Sequence, residues 1–425
     1  MIKRQASKFL RTPSMEQEDG IDEATRLLEA TPTVSPSTAT FVVDDLPVTT
    51  TATPPSFGHS VWNILVGSYV NLFLVFAPFA VWSYLAEWGD IAVFVLNFLT
   101  MLPLASMLGD ATEALAFHAG DTIGGLVNAT FGNAVEVIIA IFALRNGEVA
   151  LVQSSLIGSM LSNMLLVLGS CFIAGHIGGA KESEFSAQSA SVNMSLLFLS
   201  SFAMLVPSYY QYSQPSSTVG ASLLTNNDDA VLGLSHISAL FLILMYILLM
   251  LYQLVTHRVI LAERDDDEEE PELSLHGSVA VLLVMTLLVS VFSEFLVSSV
   301  DGFTINADIP KPFVGIILLP IVGNAVEHIT AIKVALKNNM ELAMGVAIGS
   351  ATQIALFVVP VCVLAGWLMN EPMTLAFNAF EAMTYVVSSV IVYVVVADGK
   401  SNWLEGAMLI VLYCLVGVAL LEITI

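Results

Sequence analysis

The sequence predicts an all-α integral membrane protein, and three observations carry that prediction. Of its 425 residues, 56% are hydrophobic and only 12% charged, and the mean hydropathy is +0.81. This composition excludes an ordinary soluble domain. Apolar segments long enough to cross a bilayer recur along the chain. None shows β-barrel alternation, and in lipid a helix is then the only other way to satisfy the backbone.

In chain order, residues 1–60 are rich in Ser, Thr, Pro and Glu with few large apolar residues, the composition of a disordered tail. With no apolar core near Met1, this stretch is not a cleaved secretory signal. Eleven spans then read at roughly 62–82, 91–118, 121–145, 149–176, 188–208, 234–258, 276–300, 313–337, 341–368, 374–397 and 402–422. Between the sixth and seventh lies an acidic run, Asp265, Asp266, Asp267, Glu268, Glu269 and Glu270, followed by Glu272. It is a local source of the net charge of −24.

Charge asymmetry predicts the orientation. With the tail in the cytosol, Lys3, Arg4, Lys8, Arg11, Arg26, Lys181, Arg258, Arg264, Lys333, Lys337 and Lys400 all face the cytosol. Only Arg145 and Lys311 face the other side, and no Lys or Arg is left in mid-span. Positive charge gathers on the cytosolic side of membrane proteins, so the N-terminus is expected inside and the C-terminus lumenal or outside. Cys171, Cys362 and Cys414 fall in apolar stretches and read as packing residues, not a disulfide framework. The sequons at Asn128 and Asn193 lie within or at the edge of spans, where no glycosylation is expected.

The pentapeptide GNAVE occurs twice, at 132–136 and at 323–327, an offset of 191 residues. The match continues, since Gly158-Ser159 and Gly349-Ser350 each follow their glutamate by the same 22 residues. Upstream, Glu113 in GDATEALA has a counterpart in Glu294 of VFSEFLVSS. The expected organisation is therefore a tail (1–60), a first transmembrane helix (61–85), a five-helix repeat (91–258), an acidic cytosolic linker (259–275) and a second five-helix repeat (276–425). Five is odd, so the repeats enter the membrane in opposite senses, as in many secondary transporters. The motif-bearing segments hold Gly and, in the second, Pro320. These residues interrupt helical hydrogen bonding and predict a fresh helix start near each motif.

A carboxylate at the bilayer centre costs about 2.5–3.5 kcal/mol on insertion scales. Glu113, Glu136, Glu294 and Glu327 must therefore be neutralised. Glutamates that merely hydrogen-bond helices together are the bland reading, and its salt-bridge version fails for want of a mid-span Lys or Arg. Protons and metal cations remain. With Asn133, Asn324, Ser159, Ser350, Gln353 and freed carbonyls, the carboxylates form a set of hard oxygen donors suited to Ca²⁺, which takes about six to eight of them. No Cys/His set with zinc spacing is present. Protons compete for the same carboxylates, which is the physical basis of exchange.

The duplicated GNA-x-E motif, PLASMLGDATEALA, VQSSLIGSMLSNMLLVLG and the acidic run after the sixth span together resemble the Ca²⁺/H⁺ exchanger family of the Ca²⁺:cation antiporters over about residues 61–425. The resemblance implies eleven spans in a vacuolar or similar acidic-organelle membrane, with alternating access about Glu136 and Glu327. It makes Glu113 and Glu294 auxiliary. His328 follows the second motif as in family members, where the first copy has Val137. His328 reads either as a packed neutral imidazole or as a proton acceptor beside Glu327. The acidic run reads as a solvated block or as a weak regulatory Ca²⁺ site.

Ca²⁺ and H⁺ are the expected cargo, with Mn²⁺ and the oligomeric state left open. No resident cofactor and no nucleic-acid partner are expected. Two rivals remain, a Na⁺-driven Ca²⁺ exchanger on the same fold and a cation channel. Valine before each central glutamate argues weakly for protons over Na⁺. Paired carboxylates in an inverted duplication suit tight alternating binding more than fast conduction. An intramembrane hydrolase is disfavoured, since HExxH, GxGD and GxSxG are all missing.

Overall fold

A computed structural model describes residues 57–213, 224–256 and 273–422. Phe57–Val66 (α1) and Tyr69–Leu85 (α2) precede Asp90–Ala119 (α3), Asp121–Phe131 (α4), Ala134–Arg145 (α5), Val149–Ile177 (α6), Ala187–Ser213 (α7) and Asp229–Thr256 (α8). Then come Leu275–Ser298 (α9), Val300–Ala307 (α10), Lys311–Gly323 (α11), Ala325–Leu336 (α12), Met340–Met369 (α13), Ala379–Val396 (α14) and Trp403–Glu422 (α15). Ser183–Glu184 (β1) and Lys400–Ser401 (β2) form a two-residue antiparallel bridge.

Among the described residues nine helices are long and apolar enough to cross a membrane, with α4 and α5 taken together as one. The bent pair α10 and α11, turned by 119° across Asp308–Pro310, would make a tenth. Large apolar side chains coat the outside, among them Leu72, Phe202, Leu287 and Val394, while Asn97, Asn133, Asn163 and Glu136 are buried. That inversion of the soluble pattern suits a lipid surround. Small residues then let helices approach: a Cβ on Gly169 of α6 would meet the Gly406 carbonyl of α15 at 2.7 Å. Close van der Waals packing replaces the hydrophobic drive that lipid removes.

Three boundaries differ from those read in the sequence. The first apolar segment is divided at Gly67-Ser68, where the Ser68 side chain accepts from Val70 N (3.4 Å) and starts a new helix. The segment expected at 313–337 begins at Lys311 and, with the fresh helix start expected near its motif, continues as two helices that meet at Asn324. The segment expected from 374 becomes helical only at Ala379. Residues 374–378 are non-helical chain, buried at Leu375, Ala376 and Phe377, and other helices supply hydrogen bonds to it. Ser235 Oγ accepts from Leu375 N and Ser208 Oγ from Phe377 N, each at 2.9 Å, while Gln153 Nε2 donates to Thr374 O at 2.8 Å. Cys171 and Cys362 are buried, but Cys414 lies on the exposed face of α15. The acidic run, Asp265 to Glu270, and the N-terminal tail lie outside the described residues.

Candidate cation site at two broken helices

Both GNAVE copies fold the same way locally. Asn133 (φ −103°, ψ 24°) separates α4 from α5, and Asn324 (φ −91°, ψ 13°) separates α11 from α12. Each asparagine stands at the N-cap of the helix that follows, so Glu136 and Glu327 occupy first helical turns. There the unpaired amides and the helix dipole favour negative charge.

The break asparagines reach across to other helices. Asn133 Nδ2 donates to Gln353 Oε1 of α13 at 2.9 Å. Asn324 Nδ2 donates to the Ser159 carbonyl of α6 at 3.3 Å. Asn163 Nδ2 donates to Ser350 Oγ at 3.0 Å and lies 3.4 Å from Asn324 Oδ1. Three π-helical turns, Ser162–Val167, Val314–Leu318 and Ile354–Val358, surround this centre. Such turns cost regular hydrogen bonding and are frequent at functional sites.

The centre holds more acceptors than donors. Asn133 Oδ1, Glu136 Oε1, Glu136 Oε2, Asn163 Oδ1 and Glu327 Oε2 are all buried without a hydrogen-bond donor. Glu136 is 7% exposed and Asn324 and Asn163 are fully enclosed, while Glu327 is half-buried. The two carboxylates lie within electrostatic reach of each other. Glu136 lines a small cavity with Ile139, Ser155, Leu156, Ser159, Leu319 and Gly323. The second motif presses on the first, since a Cβ on Gly323 would meet Glu136 Oε1 at 2.7 Å.

Among the described residues no group of three or more His, Cys, Asp or Glu comes together. The donor set is two carboxylates and neutral oxygens, which can hold one hard divalent cation or protons.

The other sequence-expected residues divide. Ser159, Ser350 and Gln353 sit in the network just described. His328 Nε2 faces Ser162 Oγ at 3.5 Å, a contact at the limit of hydrogen bonding. Glu113 and Glu294 were expected as auxiliary carboxylates on the helices that precede the motifs. Both side chains are exposed, in the last two turns of α3 and α9. It is Gly109 of α3, one turn earlier, that meets the second motif, with Val326 Cγ1 at 3.0 Å from its would-be Cβ. Asn163 was missed by sequence reasoning. Its signal was an amide in the stretch 156–168, whose other residues are Ser, Gly, Met and aliphatics.

Outside the spans, the Lys400 ammonium sits 2.9 Å from Glu184 and holds that carboxyl below its ordinary range, while Glu184 raises the lysine. At the other end of the bundle Lys311 bonds Asp301 at 2.6 Å and also pairs with Glu148.

Known proteins resemble this chain over most of its length. It is 41% identical over 360 residues to the vacuolar calcium ion transporter of Schizosaccharomyces pombe, covering 84% of this chain and 85% of the relative. It is 39% identical over 361 residues to the Ca²⁺/H⁺ antiporter of Aphanothece halophytica, covering 81% and 94%. The solved structure of native YfkE superposes with TM-score 0.69 at 32% identity, over 83% of this chain and 100% of that one. The H⁺/Ca²⁺ exchanger CAX, at 14% identity and TM-score 0.62 over 86% and 93%, shares the fold. The model of the sodium/calcium exchanger protein family matches residues 90–255 and 277–421, and the chain belongs to that family.

Proposed function

We propose that this protein is a secondary active transporter that exchanges cytosolic Ca²⁺ for lumenal H⁺ by alternating access, clearing Ca²⁺ from the cytosol into the vacuole or a similar acidic organelle. The observation that carries this reading is the set of five orphaned oxygens around Glu136 and Glu327. A buried acceptor without a donor costs roughly 1–3 kcal/mol, and more when charged. A Ca²⁺ ion satisfies several at once, and protons satisfy the carboxylates singly. Each occupant must leave before the other binds, which couples their movements. The relatives named as Ca²⁺/H⁺ antiporters and vacuolar transporters favour protons over Na⁺ as the counter-ion.

Glu136 and Glu327 bind the cation in this reading, with Asn133, Asn324, Ser159, Ser350, Gln353 and His328 around them and Glu113 and Glu294 on the approaches. The architecture is eleven spans, with one helix before two inverted five-helix repeats. Supporting it, the π-turns at 162–167 and 354–358 fall at nearly the same place in the 191-residue register. For orientation, Asn338 near Lys337 bonds Gly178 O at 2.9 Å, close to Lys181, while Lys311 pairs with Glu148 near Arg145. Lysines assigned to opposite sides thus keep to separate ends. The N-terminus is then cytosolic and the C-terminus lumenal.

The test is Ca²⁺ uptake by proteoliposomes in Na⁺-free buffer. An acid interior should drive uptake, and dissipating the pH gradient should stop it. Uptake that requires Na⁺ would assign the counter-ion to the rival exchanger, and unitary currents would make the protein a channel.

A further inference from the structure

Glu381, in the first turn of α14, is a buried carboxylate that the site above does not use. It is 4% exposed, and its Oε1 accepts a hydrogen bond from Ser154 Oγ of α6. The elements packed against α14 bring few charged or titratable groups toward it. α7 carries no charged residue, and the Tyr212 hydroxyl at its end accepts from Ala379 N at 3.1 Å. α6 carries His176, at its opposite end, and the buried thiol of Cys171, and α14 has no other acid or base than its tyrosines. Glu371 lies on the segment leading into α14, and Lys400, Glu405 and Glu422 belong to β2 and α15. None of the described side chains forms an ion pair with Glu381. Its side-chain hydrogen-bond partner is a donor, the Ser154 hydroxyl, and among the described residues no group of three or more His, Cys, Asp or Glu forms around it. That surrounding lacks the oxygen ligands a metal needs but suits an acid that gains and loses a proton.

Its position gives such an acid a use. α6 begins beside Glu148, and at 1.5 Å per residue Ser154 lies about 9 Å into the bundle and Ser159 about 16 Å. Ser159 and Ser155 line the cavity that holds Glu136. Glu381 therefore stands between the Lys311–Glu148 end and the central carboxylates. α11 also comes close at Ser154, since a Cβ on Gly315 would meet Ser154 Cβ at 2.6 Å.

We propose that Glu381 is a proton-handling carboxylate on the lumenal side of the exchanger, taking a proton from the lumen and passing it inward past Ser154 toward Glu136. This rests on the exchange reading above. In the step, the Glu381 carboxylate gains one H⁺ from lumenal water to become the acid. It later releases that H⁺ inward and returns to the carboxylate, so each passage moves one proton and leaves Glu381 unchanged.

A purely structural role is the competing account. Glu381 is three residues after the N-cap Asn378, whose side chain accepts from Phe380 N at 2.9 Å, so it occupies the capping-box position. Gln serves that position as well as Glu. Glu381→Gln therefore separates the accounts, because it retains shape and cap but cannot carry the proton. In proteoliposomes of the full chain, Glu381→Gln should keep Ca²⁺ binding and melting temperature. It should slow pH-driven Ca²⁺ uptake about a hundredfold, the lower end of general acid–base contributions, and flatten its dependence on lumenal pH. Wild-type rates with a wild-type pH profile would overturn the proposal. Should Glu381→Gln fail to fold, Ser154→Ala decides the matter, since it leaves the acid and removes its inward contact. Slower uptake supports the proposal, and unchanged uptake overturns it. Wild-type protein without pH-driven uptake would instead remove the exchange reading itself.

Discussion

Two crevices that look alike in sequence are packed differently. In one, α6 meets α11 so tightly that a Cβ on Gly158 would lie 2.4 Å from the Ile316 carbonyl. In the 191-residue register the counterparts of these helices are α13 and α4. There Gly349, the match of Gly158, has nothing within 4 Å of its would-be Cβ, and neither has Gly345. Lys311 ties the outer end of the closed crevice to Glu148 and Asp301, whereas its counterpart position holds Gly120. Like sequences with unlike packing are what one state of an alternating machine presents. In the proposed orientation the closed crevice is lumenal and the open one cytosolic. Both crevices carry the glycine, Gly158 and Gly349, so what distinguishes them is the packing and the lysine tie.

The comparison can be broken most severely at the centre, which both crevices share. Glu136→Gln and Glu327→Gln should each abolish Ca²⁺ uptake, to below about one tenth of wild type, because each removes an ionisable oxygen pair and one exchangeable proton. Unequal losses, with one variant near wild type, would show that the copies do not share one site.

The glycine pair comes next. Gly158→Ala presses a methyl onto the α11 backbone and should destabilise the protein by about 1–3 kcal/mol, the usual cost of overpacking. Gly349→Ala meets open space and should leave stability unchanged or raise it by up to about 1 kcal/mol through helix propensity. If α13 must close onto α4 in the other state, Gly349→Leu should nevertheless slow turnover with no loss of stability. Thermal melts in detergent beside uptake rates check both. Equal destabilisation by the two alanines would contradict the described asymmetry.

A smaller effect is expected at Lys311→Met. Loss of the tie should raise labelling of a cysteine placed in the closed crevice without abolishing transport. Unchanged labelling would show that helix packing alone holds it shut.

The smallest effect belongs to Lys400→Met at the β1–β2 bridge. Glu184 is held below its ordinary range, so its contribution is present above the unfolded pKa and lost as pH falls through the lowered value. Lys400 is raised, so its share is present below its unfolded pKa and lost only as pH rises through the raised one. Between about pH 5 and pH 8 both stay charged, so the stability difference between wild type and variant should be flat with pH. A melting difference that changes across that range would point to another titrating group.

Much of this was legible in the chain itself. The breaks at Asn133 and Asn324 followed from Gly, Pro and the repeated motif, and the central carboxylates from the cost of burying them. The bend at Asp308–Pro310 and the non-helical stretch at 374–378 were not. Hydropathy counts Leu375, Ala376 and Phe377 as span residues, whereas their backbone is satisfied by Ser208, Ser235 and Gln153 from distant positions. Asn163 and Glu381 escaped for a related reason. An isolated polar residue in an apolar run carries no periodic signature, and its partners Ser350 and Ser154 are distant in sequence. Glu113 and Glu294 matched each other by repeat, but repeat matching does not fix which face of a helix a side chain takes.

The central claim is that Ca²⁺ and protons compete for the carboxylates of Glu136 and Glu327. Ca²⁺ binding to the purified protein, followed across pH with the protons released at each addition, tests it without a membrane gradient. Cation ligands must be deprotonated to bind. Affinity should therefore weaken as pH falls, each Ca²⁺ bound should release protons, and Glu136→Gln or Glu327→Gln should lose both behaviours. Ca²⁺ binding of constant affinity across pH, with no proton release, would contradict the account.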